Sequence, residues 1–334
     1  MGTKSSGLLP IALAGNAVES LPKASTAPID PSMQTPPRLS LIVATLGREA
    51  ELSRCLGSLA AQTSRDFEVI VVDQNSDDRL AALLGRERAS FPLTHVRASP
   101  GLSRARNVGL RLARGDIVGF PDDDCWYDID IVARVLQFFA EQPAAHGLSG
   151  GGAAGAGGAP RARFARGEQW VTAARVWTQG MSSAIFLRRD LIAAVGPFDE
   201  ALGVGSGTPW PAAEETDYLL RAVTRGGRIW YDPRFEVHHP GSPGQPEQKI
   251  LDRGRRYGRA MGYVLAKHRR SRIEIAYHIA RAVSGAILSL ARTRWSDARL
   301  YAAVASGRMR GWRDGVAARG VAVAGGSQES AASV

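Results

Sequence analysis

Three consecutive carboxylates, Asp122, Asp123 and Asp124, follow the apolar run Ile117-Val118-Gly119-Phe120-Pro121. Acids crowded this closely repel one another, and a bound divalent cation is the commonest physical remedy. The run ahead of them reads as a short buried strand, which places the triplet at a strand's carboxyl end, where α/β proteins hold ligands. A solvated acidic turn is the bland alternative. Upstream, Gly101-Leu102-Ser103-Arg104-Ala105-Arg106-Asn107-Val108-Gly109 brings basic and amide side chains just ahead of the acids. That neighbourhood suits an anionic ligand held together with its cation, so the triplet is a candidate metal site. A second acidic group, Glu214, Glu215 and Asp217, opens a helical pattern that runs to Arg221. Acids are favourable in the first turn of a helix, so capping is the plain structural reading of that trio.

The elements around these groups alternate. Leu39–Thr45 is β-prone and apolar on both faces, as a parallel strand buried between helices should be. After the turn Leu46-Gly47-Arg48, Leu52, Leu56 and Leu59 recur at helical spacing, and Phe67–Val72 forms a second strand ending at Asp73-Gln74-Asn75. Strand, helix, strand at this spacing is a right-handed crossover unit. A helix over Leu80–Leu84, a strand near Leu93–Val96, the Arg106 helix and the strand into the acids complete a third unit. Helix Ile129–Phe139, strand Gly180–Leu187, a short helix to Val195, and apolar runs Ile229–Asp232 and Phe235–Pro240 follow. Gly147–Pro160, nearly all Gly and Ala, reads as a flexible loop, and Gly203–Pro211 as another. The fold class is α/β, a Rossmann-like mostly parallel sheet flanked by helices.

The chain has 334 residues, 44% hydrophobic and 22% charged, enough for one sizeable domain plus an appendage. Residues 1–37, rich in Ser, Pro and Ala, read as a disordered leader, 38–245 as the α/β domain, and 246–334 as a basic helical extension with a disordered end. The net charge is +10, and between Asp252 and Arg319 sixteen Lys/Arg against four Asp/Glu leave +12, so the extension carries all of the excess. That asymmetry calls for an anionic partner of the tail. Its few aromatics and the lack of a nucleic-acid motif put a phospholipid surface first and argue against nucleic acid. No uninterrupted apolar stretch reaches the roughly 20 residues that span a bilayer, since Ile273–Ala291 is broken by Glu274, His278 and Arg281. The stripe Ile275, Ile279, Val283, Ile287, Leu290 fits either a docked helical pair or an interfacial anchor. Gly254, Gly258 and Gly262 make a smooth face for close helix packing. The two cysteines, Cys55 and Cys125, have no paired-thiol spacing, so neither a disulfide framework nor a thiolate zinc site is indicated and a reducing compartment is the simpler assumption.

The order of these pieces resembles the inverting family-two glycosyltransferases of GT-A fold. The resemblance covers Leu39 to about His239: a first strand with a Thr turn, an acidic stretch after the second strand, Gly-x-x-x-Ala-Arg-Asn, an Asp-x-Asp triplet, an acidic pair ahead of Asp-x-x-x-Arg, and a late histidine. It implies a metal-dependent enzyme that moves a sugar from a nucleoside-diphosphate sugar to a hydroxyl of a glycan or lipid-linked acceptor. It further implies that Thr45, Arg48, Asp73 and Gln74 border the nucleotide, and that Arg106, Asn107, Asp122 and Asp123 approach the sugar-nucleotide. Asp124 and His238, or in its place His239, would meet Mn²⁺ or Mg²⁺. Glu215, Glu214 and Asp217 are the catalytic candidates, with the general base in the acidic pair, and Trp210 would stack on an acceptor sugar or pack in the core. Two departures stand out: Asp73 is followed by Gln74 rather than a second acid, and Glu214-Glu215 replaces the usual Glu-Asp. Two rivals are a non-catalytic sugar-nucleotide-binding protein of the same fold and a sugar nucleotidyltransferase; Ala44–Arg48 offers the latter only one glycine for a triphosphate. By analogy with relatives bearing basic tails, the protein is expected in the cytoplasm, peripheral at the inner face of the membrane, in polysaccharide or glycolipid synthesis.

Overall fold

The computed structural model describes residues 36–152, 164–240 and 244–331, so the leader up to residue 35, residues 153–163 of the Gly/Ala tract and its sequel, and the last three residues lie outside it. Strands β1 (Leu39–Thr45) and β2 (Phe67–Asp73) are buried at every position and run parallel, from Leu39 opposite Phe67 to Thr45 opposite Asp73. They are joined by α1 (Glu49–Ala60), whose Leu52, Leu56 and Leu59 are fully buried, as their spacing requires. After α2 (Ala81–Glu87), β3 (Leu93–Arg97) adds in parallel outside β2; after α3 (Leu102–Leu112), β4 (Ile117–Gly119) adds in parallel on the other side of β1. Gly109 lets α3 press onto β1, since a Cβ there would fall 2.3 Å from a methyl of Ile42. The chain thus reverses direction across the sheet between β1 and β4, which leaves a crevice at their carboxyl ends.

The rest of the sheet comes from α4 (Ile131–Glu141), β5 (Gly147–Gly152), β6 (Gln169–Trp170), β7 (Ile185–Arg188), α5 (Arg189–Val195), α6 (Glu214–Thr224) and β8 (Ile229–Val237). Among the described residues the sheet has eight strands in the order β3-β2-β1-β4-β7-β5-β8-β6, with β7 antiparallel to both β4 and β5. The expected strand over Gly180–Leu187 is shortened by a 3₁₀ turn at Ser182–Ala184, and the two runs after Ile229 form one strand through Pro233.

The main departure is Gly147–Gly152, expected as loop but folded as a buried strand. Glycine is demanded there by space. A Cβ on Gly150 would sit 2.0 Å from the Phe235 carbonyl oxygen, and one on Gly147 would sit 2.7 Å from Leu187. Composition alone reads as flexibility because it does not show the backbone pressing from the next strand.

The extension comprises α7 (Glu247–Lys267), α8 (Arg272–Ala291) and α9 (Trp295–Ala331). The glycine face of α7 meets a glycine face of α9: a Cβ on Gly258 or Gly262 would strike the Val304 or Arg308 carbonyl, and one on Gly307 or Gly311 the Arg255 or Arg259 carbonyl. α7 also sends Ala260 and Val264 into the same core as Ile42, Val72 and Tyr218. Two further ties anchor it. Trp210 stacks on Tyr263 with ring centroids 3.6 Å apart and points its indole nitrogen at Asp314, 3.4 Å away, so that side chain packs against the tail. Asp217, fully buried, pairs with Lys267 at 2.6 Å, His268 at 2.8 Å and Arg221 at 3.0 Å. Burial alone would raise its carboxyl, but His268, Lys267 and Arg221 hold it down at about 2.

Two outcomes follow for stability. Gly150→Ala is expected to cost about 1–3 kcal/mol in urea unfolding, because the backbone of β8 must shift, whereas Gly57→Ala, with open space on a helix, is expected to be neutral or stabilising. Asp217→Asn is expected to cost about 3 kcal/mol at pH 7, because it leaves buried cations uncompensated. The folded-state value lies below the ordinary 3.8, so this contribution is present above pH 4 and is lost as the pH falls through about 2. Wild-type and variant unfolding curves should converge over that window; a gap that stays undiminished below pH 2 contradicts the assignment.

Candidate active site

The site is organised around Arg106, the largest fully buried side chain of the described residues and only 1% exposed. It leaves the inward face of α3 between the rings of Phe120 and Phe198. Its guanidinium contacts Asp122 at 3.1 Å and Glu214 at 3.0 Å and donates to the Ser182 hydroxyl. One cation thereby ties the carboxyl end of β4, the start of α6 and the turn before β7. Asp122 itself extends the sheet, bridging in parallel to Ala44. Burial pushes its carboxyl up to about 6, with Arg106 opposing the shift and Asp124 and Glu214 adding to it.

Asp123 and Asp124 turn the other way. Arg48, presented by a turn at Gly47 with φ of +71°, reaches Asp123 at 2.9 Å and Asp124 at 2.6 Å. His239 meets the second oxygen of Asp124 at 2.9 Å, and Arg54 donates to the Asp124 carbonyl. Burial raises Asp123 despite Arg48. Asp124 is instead lowered: the hydrogen bond and charge of His239, with Arg48, outweigh burial. The same hydrogen bond raises His239 above its ordinary value. Of the two candidate histidines, it is His239 that lies at the acid triplet. His238 stacks on Trp126 and binds Asp128 at 2.8 Å, while His239 is the one at Asp124. Neighbours in an extended segment point to opposite sides, so only one of the two can face the acids.

Among the described residues no group of three or more His, Cys, Asp or Glu side chains is placed to hold a metal ion unaided. Asp124 and His239 supply one carboxylate oxygen and one imidazole nitrogen, a donor pair that suits Mn²⁺ or Mg²⁺ when further oxygens come from a ligand's phosphates. The residues present therefore fit a shared cation and not a closed cage.

At the ends of β1 and β2, Thr45 and Asp73 stand opposite each other. Asp73 is fully buried, accepts from the backbone and side-chain amides of Asn75, bonds to His95 at 3.0 Å and forms an ion pair with Arg97 at 3.4 Å. Gln74 is spent on local structure, its oxygen accepting from the Gly101 amide at 2.7 Å. His95 and Arg97 were not foreseen, although their spacing of two on β3 puts both on Asp73's side of the sheet. Asn107 holds the loop at Phe198–Glu200 through three hydrogen bonds instead of facing the acids. Asp217 likewise belongs to the α7 ion cluster described above.

The acidic pair divides its labour. Ala213 takes a left-handed conformation, φ 67°, immediately before α6, an unfavourable state for a residue with a Cβ. Glu214, 5% exposed, is locked to Arg106. Glu215 is half-buried and lines a small cleft together with Arg106, Phe120, Ser182, Phe198 and Tyr218.

Residues 40–179 match the family described as glycosyl transferase family 2. An uncharacterized glycosyltransferase of Haemophilus influenzae is 39% identical over 107 residues, 31% of this chain and 35% of that protein. A glycosyltransferase of PGL/p-HBAD biosynthesis from Mycobacterium bovis is 36% identical over 109 residues, 31% of this chain and 43% of its own length. The chain thus spans about a third of the curated relatives it matches first. Among solved structures, the mannosyltransferase PcManGT of Pyrobaculum calidifontis, in complex with GDP-Man and Mn²⁺, superposes with a TM-score of 0.58 at 18% identity, covering 88% of this chain and 91% of that one. Residues 1–349 of S. aureus TarS give 0.55 at 19% identity, covering 81% and 91%. The shared architecture is the GT-A fold, and the match to the glycosyl transferase family 2 model covers residues 40–179, under half of the chain.

Proposed function

We propose that the protein transfers a sugar from a nucleoside-diphosphate sugar to a hydroxyl acceptor with inversion at the anomeric carbon, Glu215 serving as general base. The observation that carries this reading is the split acid pair: Glu214 is committed to the buried Arg106, while Glu215 borders the cleft beside that same cation. A carboxylate there would remove the acceptor proton as the hydroxyl attacks, which is typically worth on the order of 10²–10⁴-fold. Thr45, Asn75, His95 and Arg97 would border the base and ribose. Arg48 and Arg106 would face the diphosphate and sugar, positive groups where negative charge develops. Asp124 and His239 would hold Mn²⁺ or Mg²⁺, which when bound neutralises the departing diphosphate. Support for this donor class comes from the neighbours, PcManGT carrying GDP-Man and TarS carrying UDP or UDP-GlcNAc. The relative in PGL/p-HBAD biosynthesis favours an acceptor in glycolipid or polysaccharide synthesis, and the basic tail favours work at the inner, cytoplasmic face of a membrane.

Glu215→Gln is expected to lower kcat by about 10²–10⁴-fold while leaving nucleotide affinity within about threefold, measured by calorimetry beside transfer assays. If Glu214→Gln, and not Glu215→Gln, gives that pattern, the base is misassigned. A panel of nucleotide-sugars should raise the Tm in the presence of Mn²⁺, an effect removed by chelator and by Asp124→Ala. Stabilisation that ignores both would defeat the cation's place at Asp124.

A further inference from the structure

Helix α8 is turned inside out. Toward the protein it presents Ile275, His278, Ala282 and Ser289, half of them polar. Outward it presents Ile273 (83% exposed), Tyr277 (59%), Ile287 (62%), Leu288 (50%) and Leu290 (45%), and Trp295 (67%) continues the surface at the start of α9. A helix docked on a core does the reverse, and burying such a face is what water drives. Over the stretch Arg272–Ala291 the mean hydropathy is 1.2 and 22% is buried, so by length and composition it could cross a membrane. The fold ties it sideways instead. Gly285 lies on the ring of Tyr301, Arg308 donates to the His278 carbonyl, and Trp177 donates to Glu274 at 3.3 Å.

Charge selects the occupant of this face. Arg269 and Arg272 are exposed at one end of the helix, Arg281 midway and Arg292 at the other end. The acids nearest to them in sequence, Glu274 and Asp297, are taken by Arg270 and Arg294. An apolar strip flanked by cations matches the acyl boundary and headgroups of an anionic bilayer. A second copy of the chain, docked symmetrically through the same face, would set arginine against arginine with no acid to oppose it.

We propose that α8 and Trp295 seat the protein flat on an anionic lipid surface, with the helix axis in the bilayer plane. This deepens the membrane reading of the previous subsection and does not depend on the transfer chemistry, which parallel nucleotide-binding measurements on the same samples report separately. The test is flotation of the full chain with phosphatidylcholine vesicles, with and without phosphatidylglycerol. Binding is expected to require phosphatidylglycerol and to weaken with salt. It should fall by roughly tenfold or more in Ile273→Asp/Ile287→Asp, and by about tenfold in Arg272→Gln/Arg292→Gln, which leaves the apolar strip intact. Both pairs lie on the surface, so unchanged thermal melting is expected; if the aspartate pair folds poorly, the arginine pair carries the test. Absence of flotation, flotation that survives both pairs, or a dimer in light scattering that the aspartate pair dissolves would each overturn the proposal, the last by naming a second copy as the occupant.

Discussion

A guanidinium held almost wholly out of water must have its charge matched, and the site is arranged to satisfy that one demand. Arg106 costs several kcal/mol to desolvate, and Asp122, Glu214 and the Ser182 hydroxyl together offset it. The dependence is mutual. Without Arg106, the buried Glu214 and the partly buried Asp122 would face each other unpaired, and Asp122 is already pushed up to about 6 with the arginine present. The loop ahead of α6 therefore has to fold back onto the end of β4, even though it runs through the left-handed Ala213 to do so.

The remaining acids follow from the same electrostatics. Asp122 is paired with Arg106, a buried cation that cannot leave, while the more deeply buried Asp123 and Asp124 are paired with Arg48, whose side chain is 47% exposed. Arg48 keeps about half of its side chain in water, so an incoming cation can replace it at Asp123 and Asp124 more readily than at Asp122, whose partner Arg106 is buried. Three adjacent carboxylates are thereby separated into one that is fixed and two that an incoming charge can reorganise. His239, bonded to Asp124 and raised by it, belongs to the second group.

Much of this was legible in the sequence because it rests on local pattern. Leu39–Thr45 and Phe67–Asp73 read as doubly covered strands from their apolar runs, and both are buried throughout. What was not legible depends on space or on long-range partners. Gly147–Gly152 carries no side-chain pattern, and only the approach of Phe235 explains why a glycine strand is required there. Asn107 and Asp217 sit beside the expected catalytic positions in sequence, yet the loop at Phe198 and the cations of α7 claim them. His238 and His239 could not be ranked without knowing which side of the strand end meets Asp124.

The tail shows why sequence boundaries and mechanical boundaries differ. Its composition marks it as an appendage, but Val264 lies in the main core, Tyr263 stacks on Trp210, and Lys267 and His268 hold Asp217 three residues into the helix that begins with Glu214. Those contacts reach the two sides of the acid pair, its preceding loop and its following turn. α7 is in turn locked to α9 by glycines on both helices, where backbone meets backbone without side chains to yield. α8 rests on α9 through Gly285 and Arg308, α9 interlocks with α7, and α7 grips Asp217, so the basic extension and the helix that carries Glu215 belong to one packed unit.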